Sequence, residues 1–319
     1  MSTTPHVLSN GDLIQDWSNT GLIGSNDDWS NVAAIVGYLG DIDAGTTTNV
    51  DPTTRTGADL GAVDVIANQS STTITNGGVA EFDGISNPTV ALQGSGTADA
   101  PSLVIYLDAT GRSDVRLTFD ARDIDGSSDN AAQQLAVQYR LGDSDTWTNI
   151  TGGYFSDVTD ASSATRVTPV DLTLPGAVNG RSDLQVRILT TNAGGSDEWV
   201  GIDNIKVTSE PAVETQKVGF ALESISVSMV EGDSGTKLFT FTVERTGGTT
   251  GDVSFSGSLI NGDTDAADFA SALSTFVGQI AAGETSASFS IEINGDELVE
   301  LDEAFTLTLT DVANSAGVA

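Results

Sequence analysis

Short runs of alternating apolar and polar residues, separated by turns rich in Gly, Asp, Asn and Pro, extend along the 319-residue chain. Such runs are typical of β-strands, whose successive side chains point to opposite faces of a sheet. The clearest runs in the first two thirds predict strands at 102–107, 115–121, 134–141, 167–174, 183–190 and 199–207. Those in the last third predict strands at 225–230, 238–245, 253–259, 287–293 and 304–309.

Helical periodicity is nearly absent, and only the stretch 266–273 predicts one or two helical turns. Many short strands joined by polar loops favour an all-β fold of antiparallel sandwiches, with a jelly roll in the first part of the chain. The loops at 40–78 and 152–166 are unusually long, so we expect them either to carry function or to pack irregularly.

A segment without apolar periodicity, 211–218, contains Pro, Glu, Thr and Gln and is predicted to be a linker. It separates a first domain at 1–210 from a second at 219–319. Each is long enough to bury a core of its own. The sequence therefore predicts two β-sandwich domains in tandem.

The charge is strongly negative, with 45 Asp and Glu against 12 Lys and Arg and a net charge of −33. A polyanion repels phosphate backbones, which disfavours nucleic acid as a direct partner. Two interpretations of the acids remain open. They are solubilising groups in salty surroundings, or many of them are ligands for Ca²⁺, which prefers clustered hard oxygens.

Several kinds of chemistry lack the side chains they need. There is no cysteine, which excludes disulfides and thiolate sites, and His6 is the only histidine. No GxSxG elbow is accompanied by a histidine base, and no carboxylate pair stands out as a glycosidase pair. We therefore expect a non-catalytic chain without a membrane span, since no apolar run is long enough for one.

Five motifs follow one another in the second domain with sandwich spacing: VEGDSG at 230–235, FTVER at 241–245, DTDAADF at 263–269, AGET at 282–285 and GDELVELDEAF at 295–305. This order resembles the Calx-β domain, the immunoglobulin-like sandwich of sodium–calcium exchangers and many bacterial surface proteins. The resemblance covers residues 222–319 and implies calcium binding.

Acidic loops in a sandwich can meet at one end of the fold, where several carboxylates repel one another unless a cation joins them. By resemblance, ligand roles fall on Glu231, Asp268, Asp296, Glu300 and Glu303, and with less support on Asp263, Asp265 and Asp302. The competing interpretation is a set of solvated turn acids. The family pattern also has a further closing strand beyond Ala319, so we expect an open sheet edge that a second copy or neighbouring domain can fill.

The first domain carries a second resemblance. The segments LIQDW at 13–17 and GGSDEWVGIDNIKV at 194–207 are similar to the opening and closing strands of jelly-roll modules related to carbohydrate-binding and MAM-like domains. Such modules occur at the N-terminus of large secreted bacterial surface proteins and extracellular endonucleases. The resemblance implies a structural calcium site shared by Asp16 and Asp203.

Another acidic group, Asp120, Asp123, Asp125 and Asp129, lacks the spacing and terminal Glu of an EF-hand loop. We interpret it as an ordinary acidic hairpin.

Three hypotheses for function remain. The first is a calcium-bound structural or adhesive module of a bacterial surface or matrix protein. The second is a carbohydrate-binding module that uses Trp17, Trp29, Trp147, Trp199 or tyrosines to stack on sugars. The third is the non-catalytic front part of a secreted endonuclease. For each we expect an extracellular or cell-surface location, with type I secretion directed by a signal outside this chain.

Overall fold

A computed structural model describes residues 3–125, 131–160, 164–195, 197–212, 216–221, 227–271 and 275–314, with the backbone alone for 310–314. The chain divides into two compact units, Met1–Ala212 (unit 1) and Val213–Ala319 (unit 2). Helix in the described residues is limited to three single 3-10 turns, Leu8–Asn10, Pro52–Thr54 and Gly176–Val178. The predicted all-β class is confirmed.

The described part of unit 1 contains twelve strands: β1 His6–Val7, β2 Leu13–Gln15, β3 Ile35–Tyr38, β4 Gly78–Phe82, β5 Thr89–Gln93, β6 Ser102–Asp108, β7 Arg112–Asp123, β8 Leu135–Leu141, β9 Thr148–Phe155, β10 Val167–Thr173, β11 Leu184–Thr190 and β12 Val200–Pro211. Sheet A has the order β1-β6-β11-β8-β9, and β3 also pairs with β6. Sheet B has the order β10-β7-β12-β5-β4, and β2 also pairs with β12. The β1–β6 pairing is parallel and the others in unit 1 are antiparallel.

The core of unit 1 lies between these two sheets. Alternate residues of sheet A, such as Ile105 and Val186, pack against alternate residues of sheet B, such as Phe119 and Ile202. All four are at most 2% exposed. The period of two that predicted the strands therefore reflects one face turned to a shared core.

The outer face of sheet A is also covered, by the long loop that precedes β4. Side chains of β8 donate to loop carbonyls: Gln138 to that of Pro52 (3.4 Å) and Arg140 to that of Ala58 (3.1 Å). β11 is consequently buried along its whole length. Of the two expectations for this loop, irregular packing is the one observed.

The described part of unit 2 contains six strands: β13 Lys217–Phe220, β14 Gly235–Thr246, β15 Val253–Asn261, β16 Thr275–Ile280, β17 Ser286–Gly295 and β18 Phe305–Asn314. They form two antiparallel three-stranded sheets, β13-β14-β17 and β16-β15-β18. Phenylalanines fill the space between the sheets, with the rings of Phe276 and Phe289 stacked 4.5 Å apart. Unit 2 is therefore a second, smaller sandwich.

Two sequence predictions in unit 2 are wrong over the residues that the structure describes. Residues 227–230 are not a strand, although 225 and 226 lie outside the described residues. Residues 266–271 form bends instead of the predicted helical turns, and 272 and 273 lie outside the described residues. Phe269 forms a bridge with Ile293 on β17, so sheet packing overrides a weak local helical preference there.

The segment predicted as linker, 211–218, overlaps strands at both ends. β12 continues to Pro211, and β13 begins at Lys217. None of the helices in the described residues is long or apolar enough to cross a membrane.

Candidate metal centre

Strand register brings the acidic loops of unit 2 to one end of its sandwich. In one sheet, Gly235 at the start of β14 pairs with Gly295 at the end of β17. In the other, Asn261 at the end of β15 pairs with Phe305 at the start of β18. The loops that precede β14, follow β15 and precede β18 therefore all leave the sheets at the same end, which we call the acidic pole.

Three acids meet at the acidic pole. Glu231, Asp268 and Glu300 each offer a carboxylate oxygen, and these oxygens all lie within 4.8 Å of one another. Glu231 and Asp268 are partly buried, whereas Glu300 is exposed. Because each of the three comes from a different loop, a cation bound by this triad would tie the three loops together.

Hydrogen bonds hold the loop after β15 against β17. The amide of Asn294 donates to the carbonyl of Asp268 (2.9 Å), and its side chain donates to the carbonyl of Ala267 (2.7 Å). Within the loop, Asp265 Oδ1 accepts from the amide of Ala267 (2.6 Å). In the loop before β18, Asp296 Oδ1 accepts from the amide of Leu298 (2.7 Å). Asp265 and Asp296 thus shape the loops that present the triad.

The crowding of acids at this pole makes two of them harder to ionise. Partial desolvation raises the pKa of Glu300, and the neighbouring carboxylates of Asp296, Asp268, Glu231 and Asp265 raise it further. Partial desolvation and then Asp268 likewise raise the pKa of Glu303. A bound cation would reverse this repulsion, because an opposite charge favours the ionised form.

The remaining predicted ligands lie outside the triad. Asp263 and Asp302 are exposed, and neither is among the three acids that converge. Asp203 is 1% exposed, and its Oδ2 accepts from Arg122 (2.7 Å) and from Asn87 (3.2 Å). Asp16 Oδ1 accepts from the amide and the hydroxyl of Ser18. In unit 1, Asp203 is therefore balanced by arginine, and Asp16 serves as a turn cap.

The aromatic side chains of unit 1 bear on the carbohydrate hypothesis. Trp17, Trp29, Trp147 and Trp199 are at most 3% exposed. The Trp147 ring covers two guanidinium groups, those of Arg140 and Arg187, each 4.4 Å from its centroid. Stacking on sugar rings needs an exposed aromatic face, and none of the four tryptophans offers one.

One feature of unit 1 was missed by sequence reasoning. Glu198, which immediately precedes β12, is buried with its carboxylate oxygens unpartnered among the described residues. An acid beside Gly and Asp at a strand end is typical of a solvated turn, and no motif spacing distinguishes it. Only the tertiary fold reveals that this one is inside.

Comparison with solved structures finds β-sandwich domains at low similarity. The K3 cleaved adhesin domain of Lys-gingipain from Porphyromonas gingivalis is 16% identical over 61% of this chain and 97% of its own, with a TM-score of 0.32. The tandem CBM22 domains of Xyn10C from Paenibacillus barcinonensis are 9% identical over 78% and 99%, with a TM-score of 0.34. CBM28, a module specific for non-crystalline cellulose, is 11% identical over 41% and 79%, with a TM-score of 0.29.

No family model and no curated protein matches the chain. The resemblance of the second domain to Calx-β consequently rests on its ordered motifs. At this level of similarity to solved structures, function has to be argued from the sites of this chain itself.

Proposed function

We propose that this chain is a non-catalytic, calcium-stabilised structural or adhesive module of a secreted bacterial surface protein. The observation that carries the proposal is the convergence of Glu231, Asp268 and Glu300 from three loops at the acidic pole. In unfolded chains these acids are far apart, so a cation that joins them binds the folded state and stabilises it.

The chemistry of the site favours calcium among common divalent ions. The ligands available are carboxylate oxygens, which Ca²⁺ accepts in numbers of about six to eight with flexible geometry. Mg²⁺ prefers a strict octahedron and retains its waters, and Zn²⁺ prefers nitrogen and sulfur ligands. Asp296 and Glu303, which lie close enough to affect the triad electrostatically, extend the available oxygens.

A structural or adhesive role is supported by the sheet edges of unit 2. β17 pairs with β14 on one side, and on the other side the described residues supply only the isolated bridge from Phe269 to Ile293. An edge that is largely open can accept a strand from a second copy or a neighbouring domain. We propose that calcium keeps the pole rigid while such an edge makes contacts.

A carbohydrate-binding role would need an aromatic platform other than tryptophan, since all four tryptophans are buried. Among large exposed side chains of unit 1, Tyr154 is 44% exposed. A single tyrosine is a weak platform, so the calcium-stabilised module remains the function that we propose.

The test is peptide-resolved hydrogen exchange of the full chain with and without calcium. Calcium should slow amide exchange in the loops at 227–234, 262–271 and 296–304, because opening the pole then requires releasing the ion. Glu300→Gln should abolish the slowing. Glu244→Gln, an exposed change near the end of β14 opposite to the acidic pole, is the matched control and should retain it. Equal exchange at the pole in calcium and in EDTA would refute the proposal.

A further inference from the structure

Unit 1 contains a cleft on the outer face of sheet A, at the end where β8 finishes and β11 begins. Its volume is about 460 Å³, within the range of about 300–1,000 Å³ that is typical of small-molecule sites. The long loop before β4 covers the neighbouring part of this face, and Leu60 of that loop lines the cleft. The cleft therefore lies where the loop's cover of the sheet ends.

A row of three polar side chains from neighbouring strands lines the cleft. Gln185 on β11 pairs with Tyr106 on β6 and with Arg140 on β8. The residues next to them, such as Ile105 and Val186, face the core, so these three point to the outer face. Arg140 is 4% exposed and Gln185 is 5% exposed, whereas Tyr106 is half-buried. Strand register thus brings a guanidinium, an amide and a hydroxyl group side by side.

Hydrogen bonds fix this row and leave part of its donor capacity unused. Arg140 donates from Nε to Gln185 Oε1 (2.9 Å) and from Nη1 to the carbonyl of Ala58 (3.1 Å). Gln185 Nε2 donates to Asp143 Oδ1 (2.6 Å), and the Trp147 ring packs against the Arg140 guanidinium. Arg140 Nη2 lies 4.0 Å from Asp143 Oδ1, which is beyond hydrogen-bond distance. The guanidinium can therefore still donate to a ligand.

Two tyrosine hydroxyls also face the cleft. Tyr38 Oη and Tyr106 Oη lie 2.6 Å apart, so one of them donates to the other. That bond uses one of the two hydroxyl protons, and the pair offers the other proton and further lone pairs to a ligand. Burial, and then the hydrogen bond with Tyr38, raise the pKa of Tyr106 above its usual range, which keeps its hydroxyl protonated. The cleft therefore presents donors and acceptors together.

The charges that line the cleft balance one another. Arg140 faces Asp143, and Asp183 accepts from Arg181 Nε and Nη2, both at 3.0 Å. The net charge of −33 would repel an anionic ligand, and a cationic ligand would meet the guanidinium of Arg140. A neutral ligand avoids both penalties.

We propose that this cleft binds a neutral polyhydroxylated ring, of the size of one hexose unit of a glycan. The hydroxyls of such a ring match the closely spaced donors and acceptors of Arg140, Gln185 and the tyrosine pair. Its C–H face matches Pro5 and Leu60, which line the cleft together with Tyr38. This mode differs from stacking on an exposed aromatic face, because hydrogen bonds within a cleft hold the ligand.

The test is saturation-transfer-difference NMR of the full chain with the methyl glycosides of glucose, galactose, mannose and N-acetylglucosamine. The cleft belongs to unit 1 and does not depend on calcium, so the samples contain EDTA. Failure at the cleft is then distinguishable from failure at the acidic pole. We expect saturation transfer to at least one glycoside, whose Kd a titration then measures.

Three conservative variants locate the binding. Tyr106→Phe and Tyr38→Phe each remove one hydroxyl and keep the ring, and each should raise the Kd about tenfold. Tyr154→Phe is the matched control, because Tyr154 is an exposed tyrosine of β9 that does not line the cleft. Its hydroxyl also makes one hydrogen bond, to Gln134 Oε1 (3.0 Å), and its loss should leave the Kd unchanged. Far-UV circular dichroism checks that the variants are folded.

Three results would overturn the proposal. The first is no saturation transfer to any of the four glycosides. The second is a Kd for folded Tyr106→Phe and Tyr38→Phe equal to that of the unmodified chain, which would place the binding elsewhere. The third is tighter binding of glucuronate or glucosamine than of methyl glucoside, which would show that the cleft selects a charged ligand.

Discussion

The two units compensate their acids in different ways. All seven ion pairs between described residues lie in unit 1, where arginines such as Arg122 and Arg55 meet Asp203 and Asp43. In unit 2, Lys237 Nζ donates to the carbonyl of Val230 (2.6 Å). The comparison shows that unit 1 pairs seven of its acids with arginine or lysine, whereas no ion pair among the described residues reaches the acidic pole of unit 2.

The two units also differ in the groups that their buried arginine side chains bind. Arg245 of unit 2 is 4% exposed, and its guanidinium donates to the carbonyls of Gly251, Thr249 and Ala281. Its charge is therefore used to hold a turn instead of an acid. Within unit 1, Glu198 is a buried acid that takes part in none of these ion pairs.

The largest effect that would sharpen this comparison comes from Arg187, a buried arginine of sheet A. It is 1% exposed, donates to Gln138 Oε1 and to the carbonyl of Arg55, and packs against the Trp147 ring. Arg187→Ala leaves these acceptors unpaired and opens a cavity, so we expect a loss of about 3–5 kcal/mol in the unfolding free energy.

Urea unfolding followed by tryptophan fluorescence measures this loss, because all tryptophans are in unit 1. Arg181→Ala is the control, since Arg181 lies on the surface and pairs with Asp183. Its midpoint should stay within error of the unmodified chain. A loss for Arg187→Ala no greater than that of the control would show that the outer network of sheet A contributes little.

A smaller effect is expected at Asp64, an acid of unit 1 that has no basic partner among the residues that the structure describes. Burial raises its pKa to about 6, and Asp27 contributes in the same direction, although the amide of Val79 donates to Oδ2 (2.6 Å) and opposes the shift. A raised folded pKa means that the folded state holds the proton more tightly. The associated stability is present at low pH and is lost as pH rises from 3.8 to about 6.

Asp64→Asn should remove that pH dependence and stabilise unit 1 at pH above the window by up to about 3 kcal/mol, since each pKa unit corresponds to about 1.4 kcal/mol. The measurement is the urea midpoint of tryptophan fluorescence at several pH values across the window. If the Asp64→Asn chain had the same pH dependence of stability as the unmodified chain, Asp64 would not be the group that causes it.

Strands with strong alternation could be predicted from the sequence, whereas others form only through pairing. Six predicted runs of unit 1 correspond to β6, β7, β8, β10, β11 and β12. β9 contains Gly152 and Gly153, which interrupt the alternation, and it forms by pairing with β8. β13 has four residues beside a linker-like composition and forms by pairing with β14. Short strands of this kind owe their existence to tertiary contacts.

The acidic pole of unit 2 and the buried Glu198 of unit 1 also differ in how far the sequence predicts them. Motif order placed Glu231, Asp268 and Glu300 in three separate loops, but only the pairing of β14 with β17 and of β15 with β18 shows that those loops meet. For Glu198 the sequence offers no comparable signal. Its burial follows from how the end of β7 and the start of β12 pack, which local sequence does not encode.

The most direct test of the central claim is a thermal melt of the full chain in calcium and in EDTA at matched ionic strength. Far-UV circular dichroism follows both units, and tryptophan fluorescence follows unit 1 alone. At a hundredfold excess over Kd, binding adds about 2.7 kcal/mol. We predict that calcium raises the unit 2 transition on the order of 10 °C. We also predict that Glu300→Gln abolishes this shift. Equal melting temperatures in calcium and EDTA would contradict the account.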